Sequence, residues 1–475
     1  MSELPYLAAT EAIAAFRARR LSPVELVRAL IERRERIEPQ VRAFTFTFDD
    51  RALAAARRAE QRYAAGTARP LEGIPIGVKD VHAIAGEITT HGSLVFRDNR
   101  DEVTTPTVQR LLDAGAIVLG RTTSPEFGSS TITHSRLWGV TRNPWNLAFT
   151  PGGSSGGAAA ALAAGMVTLA DGSDYGGSIR IPASCCGVVG YKPPHGRNPC
   201  DGLDPFSHLG PLARTVADAA LMQNVMSGPS DTDITTLPER VVVSAGADDL
   251  AGWRIAWSMD LGYCAIDPEV RAATLAAIER LRTLGCAVEQ VELGWTDRVH
   301  DAYEIHHAAA DAALLWTLLP SQRALLTDYV IAEIERGNQI SARELLATHE
   351  VRLDMYRTLG PILASHDLLV CPTTAVPAVP AEHSPLAPLT IDGRTVSGHR
   401  GWILTYPFNM LGALPAISVP SARSRSGVPI GLQLVGRPHD DQRVFRAASA
   451  FERARGRWFV DANTRPLDPP ASPRG

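Results

Sequence analysis

Three short runs of this chain, residues 74–78, 116–119 and 166–169, are apolar at almost every position, and helical stretches at 106–114 and 156–164 lie between them. A strand with no polar side offers no face to water, so it must sit in a sheet covered on both faces. Helices alternating with such strands supply that cover, which confines the chain to the α/β class. The longest apolar stretch, 158–170, is broken by Gly165 and Thr168. It is too short to cross a bilayer, and reads as a buried helix running into a strand.

The same reading extends outward. Ser22, Pro23 and Glu25 form a capping box with a proline in the first turn, and Leu26, Val27, Leu30 and Ile31 follow at helical spacing. A second helix is expected over 49–65. Further helices are expected at 213–226, 268–284 and 442–453, and strands at 253–257, 287–291, 368–370, 416–419 and 430–435. Residues 298–364 read as consecutive helices and a candidate cap. No repeat or long linker divides the 475 residues, so one elaborated domain is expected, and 45% apolar content can fill its core.

Charge and cysteine usage narrow the class. Lys+Arg 47 against Asp+Glu 51 leaves −4, so no basic field points to nucleic acid or an acidic membrane. No basic leader with an apolar core opens the chain. Six cysteines show no CxxC pair, and the adjacent Cys185 and Cys186 are poorly placed to staple distant segments. Reduced thiols in a cytoplasmic protein are expected.

The chemistry concentrates in residues 150–182. Ser154 and Ser178 each follow Gly-Gly, 24 residues apart, with a helix and a strand between them. Glycines beside a serine let the backbone approach a ligand and present successive N–H groups to an anion. No lysine follows the loop, so a P-loop is disfavoured. Residues 152–156, GGSSG, match the letters of a nucleophile elbow, but the Pro- and Asn-rich lead-in is not the required strand.

The block GGSSGGAAAALAAG…GSDYGGSIRIPASCCGVVGYKP resembles the amidase signature family, as do GIPIGVKD at 73–80, SPEFG at 124–128 and WGVTRNPWN at 138–146. The resemblance continues in GPLARTVADAA (210–220), FNMLGALPAISVP (408–420) and PIGLQLVGRP (429–438). It implies a central mixed, twisted sheet covered by helices on both faces. Along the chain this gives N-terminal helices at 1–67, a signature core at 68–220 and a variable helical cap at 221–365. The rest of the sheet falls at 366–460, followed by a disordered tail at 461–475.

The resemblance also implies a Ser–cis-Ser–Lys triad. Ser178 takes the nucleophile's place, Ser154 that of the bridging serine beside a cis peptide bond, and Lys79 the base. Main-chain amides of Tyr175, Gly176, Gly177 and Ser178 would form the oxyanion hole. A serine hydroxyl needs an adjacent base, and a lysine serves only when neutral, which burial favours. Ser154 can relay a proton because a hydroxyl both donates and accepts. Supporting roles fall to Gly128, Ser129 and Ser130 near the acyl group, to Ser155, an alternative bridge read rather as a loop support, and to Ser173 and Asp174 behind the oxyanion strand. Arg180 would pair with an acid. Tyr175 would line the pocket or pack, and Cys185 and Cys186 read as packing residues.

The expected activity is amide hydrolysis through an acyl-enzyme, open also to esters or carbamates, acting on a small-molecule amide with no cofactor and no metal. No nucleic acid or membrane partner is implied, and a homodimer stays open. Two alternatives stand beside it: the glutaminase subunit of a tRNA-linked amidotransferase, and a non-catalytic binding module on the same fold. His300, Glu304, His307 and Asp311 share one helix face, read as a solvated polar face rather than a metal site. His134 and His195 are expected to line or support the cleft.

Overall fold

The computed structural model describes residues 3–200, 202, 204–246, 249–460 and 465–467. Eleven strands form one sheet. They are β1 (Phe44–Thr47), β2 (Pro75–Lys79), β3 (Ile117–Thr122), β4 (Leu169–Ser173), β5 (Val189–Lys192), β6 (Leu209–Ala213), β7 (Arg254–Trp257), β8 (Ala287–Gln290), β9 (Leu368–Pro372), β10 (Ala416–Arg423) and β11 (Pro429–Val435). Their spatial order is β1-β3-β2-β4-β6-β5-β10-β11-β9-β7-β8. Pairing is mixed: β3, β2 and β4 run parallel, β4 to β9 through β6, β5, β10 and β11 is antiparallel, and β9, β7 and β8 are parallel again. The α/β class and the mixed sheet expected from the sequence are what the structure contains.

Strands β2, β3, β9 and β11 are buried at every residue, the polar Lys79, Arg121, Thr122 and Gln433 included, as strands in a sheet covered on both faces are. The helix Gly156–Ala163 is buried along its whole length, and a Cβ added at Gly157 would collide with Thr123, so only small residues let it sit this close. The capping box at Ser22 opens the helix Pro23–Val41, with Ser22 Oγ accepting from the Val24 amide at 3.0 Å.

The strands differ from the sequence reading at several points. Ala213, expected to open a helix, instead ends the strand Leu209–Ala213, and the helix begins only at Val216 behind its Thr215 cap. Residues 166–168 precede β4 rather than forming it, because Gly165 at φ +71 turns the chain there. Val189–Lys192 and Phe44–Thr47 are additional strands. Helices Arg298–Leu315, Asp328–Gly337 and Ala342–Ser365 occupy the segment expected to be helical. Within the expected disordered tail only 465–467 is described, and there Arg465 is buried against Tyr6, its guanidinium 4.8 Å from the ring centroid. The rest of that tail lies outside the described residues.

Candidate active site

Parallel pairing of β2 with β4, Ile76 opposite Leu169 and Gly77 opposite Ala170, brings the carboxyl ends of both strands to one place. Such strand ends are where open α/β sheets build their sites. Lys79 ends β2 and Ser173 ends β4, and Lys79 Nζ donates to Ser173 Oγ at 2.8 Å and to Ser154 Oγ at 2.7 Å. The Gly153–Ser154 peptide bond is cis. Ser155 does not reach the lysine. Its amide donates to the Ser178 carbonyl at 3.1 Å and its hydroxyl to the Ser173 carbonyl at 3.4 Å, which ties the two serine loops together.

Lys79 is fully buried. Burial lowers its ammonium from the ordinary lysine range to about 7, against an opposing pull from Asp171 and Asp174. No motif in the sequence singles out Asp171, yet it anchors the lysine from behind. One carboxylate oxygen accepts from the Lys79 amide at 2.7 Å and the other lies 2.6 Å from His82 Nδ1.

Residues 174–180 form a turn held by one buried ion pair. Asp174 meets Arg180 at 2.8 and 3.0 Å and also accepts from the Ile179 amide at 3.2 Å. Burial pushes the Asp174 carboxyl up, but the Arg180 guanidinium outweighs it and holds the acid ionised. Arg180 in turn donates to Gln433 at 2.5 Å, Asn409 at 2.6 Å and the Thr405 carbonyl at 2.9 Å. Thr405 Oγ1 donates to the Gly176 carbonyl at 2.6 Å. Among the described residues, the backbone N–H groups of Tyr175, Gly176, Gly177 and Ser178 donate to no protein acceptor, so they are free to meet a ligand oxygen. A Cβ at Gly176 would strike Tyr303 Oη, and one at Gly177 would strike Thr405 Oγ1.

Ser178 is half-buried and faces a narrow cavity of about 30 Å³. Gly128, Ser129 and Ser130 line one side, while Tyr303 and His307 from Arg298–Leu315, with Arg400, line the other. That far wall corrects the expectation of a solvated polar face. Glu304 and His307 are both buried. Glu304 pairs with Arg400 at 2.9 Å and Arg336 at 2.6 Å, and Arg400 holds it down at about 2 against the burial that would raise it. His307, Asp311 and Glu333 bring ligand atoms within 4.8 Å of one another. Arg400 Nη2 lies 3.1 Å from His307 Nδ1, though, and its charge opposes a metal ion there.

Other expected residues lie elsewhere. His134 borders a separate groove with Tyr329, and His195 bonds through its amide to the Gly412 carbonyl at 2.8 Å; neither lines the Ser178 cavity. Tyr175 both lines the cavity and donates to Asp204 at 2.6 Å. Cys185 and Cys186 are fully buried, and burial pushes both thiols up, away from the thiolate a nucleophile needs.

A family model described as Amidase matches residues 25–445. An acylamidase of Rhodococcus erythropolis is 36% identical over 477 residues, covering 98% of each chain. A glutamyl-tRNA(Gln) amidotransferase subunit of Chloroflexus aggregans is 36% identical over 484 residues, covering 95% of this chain and 97% of its own. Among solved structures, a bacterial aryl acylamidase of the amidase signature family superposes with a TM-score of 0.89 at 31% identity, covering 94% of this chain and 96% of that one. A 6-aminohexanoate cyclic dimer hydrolase with its substrate gives 0.84 at 28% identity, over 98% and 99%.

Proposed function

The chain belongs to the amidase family, and from that premise we propose that it hydrolyses a carboxylic amide through an acyl-enzyme on Ser178. The observation that carries this reading is a lysine amine, buried and lowered to about 7, at 2.7 Å from a serine hydroxyl. Neutral Lys79 takes the Ser154 proton while Ser154 takes that of Ser178, and Ser178 Oγ forms a bond to the carbonyl carbon. The oxygen of the tetrahedral intermediate lies on the 175–178 amides, each worth about 2.7–4 kcal/mol to the transition state. The proton then returns through Ser154 to the departing nitrogen as the C–N bond breaks. Water repeats the sequence to free the acid. Lys79 takes up and returns each proton, so the scheme calls on no cofactor or metal.

The substrate is a small molecule. With −4 overall charge the chain has no field for nucleic acid, and six cysteines without a disulfide suit a reducing cytoplasm. Among the described residues no helix is long and apolar enough to cross a membrane. A glutaminase role within an amidotransferase is the second reading, favoured by the 36% identity to a component of that enzyme. A hydrolysis screen over aryl, aliphatic and amino-acid amides, with Ser178→Ala as control, tests the first reading. Release of ammonia from glutamine, without turnover of other amides, selects the second.

A further inference from the structure

The cavity beside Ser178 is small and its far wall is tied by buried ion pairs, and from these two facts we infer that the protein takes a short acyl group with one or two carbons beyond the carbonyl carbon. The inference rests on Ser178 being the nucleophile. In an acyl-enzyme the acyl group stays on the serine while the amine must leave and water must enter. A narrow cavity touching the nucleophile therefore holds the part that stays. One water needs about 10–15 Å³ of such space, so a cavity of about 30 Å³ favours an acetyl or propionyl chain over a benzoyl ring.

The cavity cannot widen cheaply. Arg400, which lines it, is held by Glu304 at 2.9 Å and Glu333 at 3.0 Å, all three buried. Moving it would take a cation from buried Glu333 and leave Glu304 with Arg336 alone. Tyr303 is fully buried and packs on Tyr406 with ring centroids 4.8 Å apart, and its hydroxyl already abuts Gly176. On the opposite side the Thr131 hydroxyl donates to the His399 carbonyl at 2.5 Å, which joins the small-residue segment to the far wall. Both walls are thus cross-braced. Ile403, buried on the cavity lining and outside the 174–180 turn, is an apolar side chain whose truncation adds room without breaking an ion pair.

The test is a series of 4-nitrophenyl esters from acetate through propionate, butyrate and hexanoate to benzoate, with kcat/KM measured on the wild-type protein and on Ile403→Ala. Acetate or propionate should be best, with hexanoate and benzoate at least tenfold lower, and Ile403→Ala should move the optimum to a longer chain. Hexanoate or benzoate as the best wild-type substrate would overturn the inference, as would a variant that is active with an unmoved optimum. If Ile403→Ala fails to fold, the wild-type series decides alone. Turnover of the short esters that survives Ser178→Ala would instead overturn the nucleophile assignment on which the inference stands.

Discussion

Asp171 binds the backbone amide of Lys79 at 2.7 Å with one oxygen and holds His82 Nδ1 at 2.6 Å with the other. The acid thus fixes the lysine's position while its charge pulls the ammonium back toward protonation. Burial wins that contest, and the lysine is lowered to about 7.

The pH dependence of turnover follows. The base must be neutral, so kcat/KM should rise through an apparent pKa near 7 and reach a plateau above it. Replacing Asp171 with Asn removes the anion that favours the ammonium, so the acid limb should move below that of the wild type. A pH–rate profile of both proteins checks the sign.

The same shift affects stability. Between about pH 7 and pH 10.5 the unfolded chain binds a proton at Lys79 that the folded chain does not. Stability should therefore gain with rising pH across that window. In Lys79→Met that part of the dependence should vanish. Urea titrations of both proteins at pH 7 and pH 9.5 measure it.

The Arg180–Asp174 pair sits fully buried behind the 174–180 turn. Arg180→Ala strands the Asp174 carboxylate, and breaking a buried pair in this way costs about 3–5 kcal/mol. The variant should unfold at markedly lower denaturant, and Asp174→Asn should lose less because the amide oxygen still accepts and Arg180 keeps Gln433, Asn409 and the Thr405 carbonyl as acceptors.

Thr405 Oγ1 holds the Gly176 carbonyl at 2.6 Å, 229 positions away in sequence. Thr405→Val removes one hydrogen bond, worth about 1 kcal/mol, and lets the amides of 176–178 drift. A fall of about fivefold in kcat, with KM little changed, is expected in steady-state kinetics.

The fold was legible where local chemistry is strong. The helix Pro23–Val41 announces itself by a capping box and an apolar stripe, and Asp49–Ala65 by its Ala- and Arg-rich run. Strand β6 did not, because Gly210 and Pro211 are poor strand formers and its identity comes from pairing with β4 and β5. The site divides the same way. Lys79, Ser154 and Ser178 sit in motifs, whereas Asp171 and Thr405 are ordinary residues that gain a role only through contacts, and Asn409, inside the 408–420 motif, shows its role only through Asp174 and Arg180. The stripe of His300, Glu304, His307 and Asp311 looked solvated because nothing local to it names Arg400 or Glu333, the partners that let it be buried.

If one buried amine activates Ser178 through Ser154, the reactivity of that serine must track the protonation of Lys79. Labelling by a fluorophosphonate reads this most directly, with the adduct located by peptide mass and its rate followed against pH. A single adduct is expected on Ser178, forming faster as pH rises through about 7 and nearly abolished in Lys79→Met, with Ser154→Ala retaining a little more. An adduct on another residue, or undiminished labelling of Ser178 in Lys79→Met, would contradict the proposed relay.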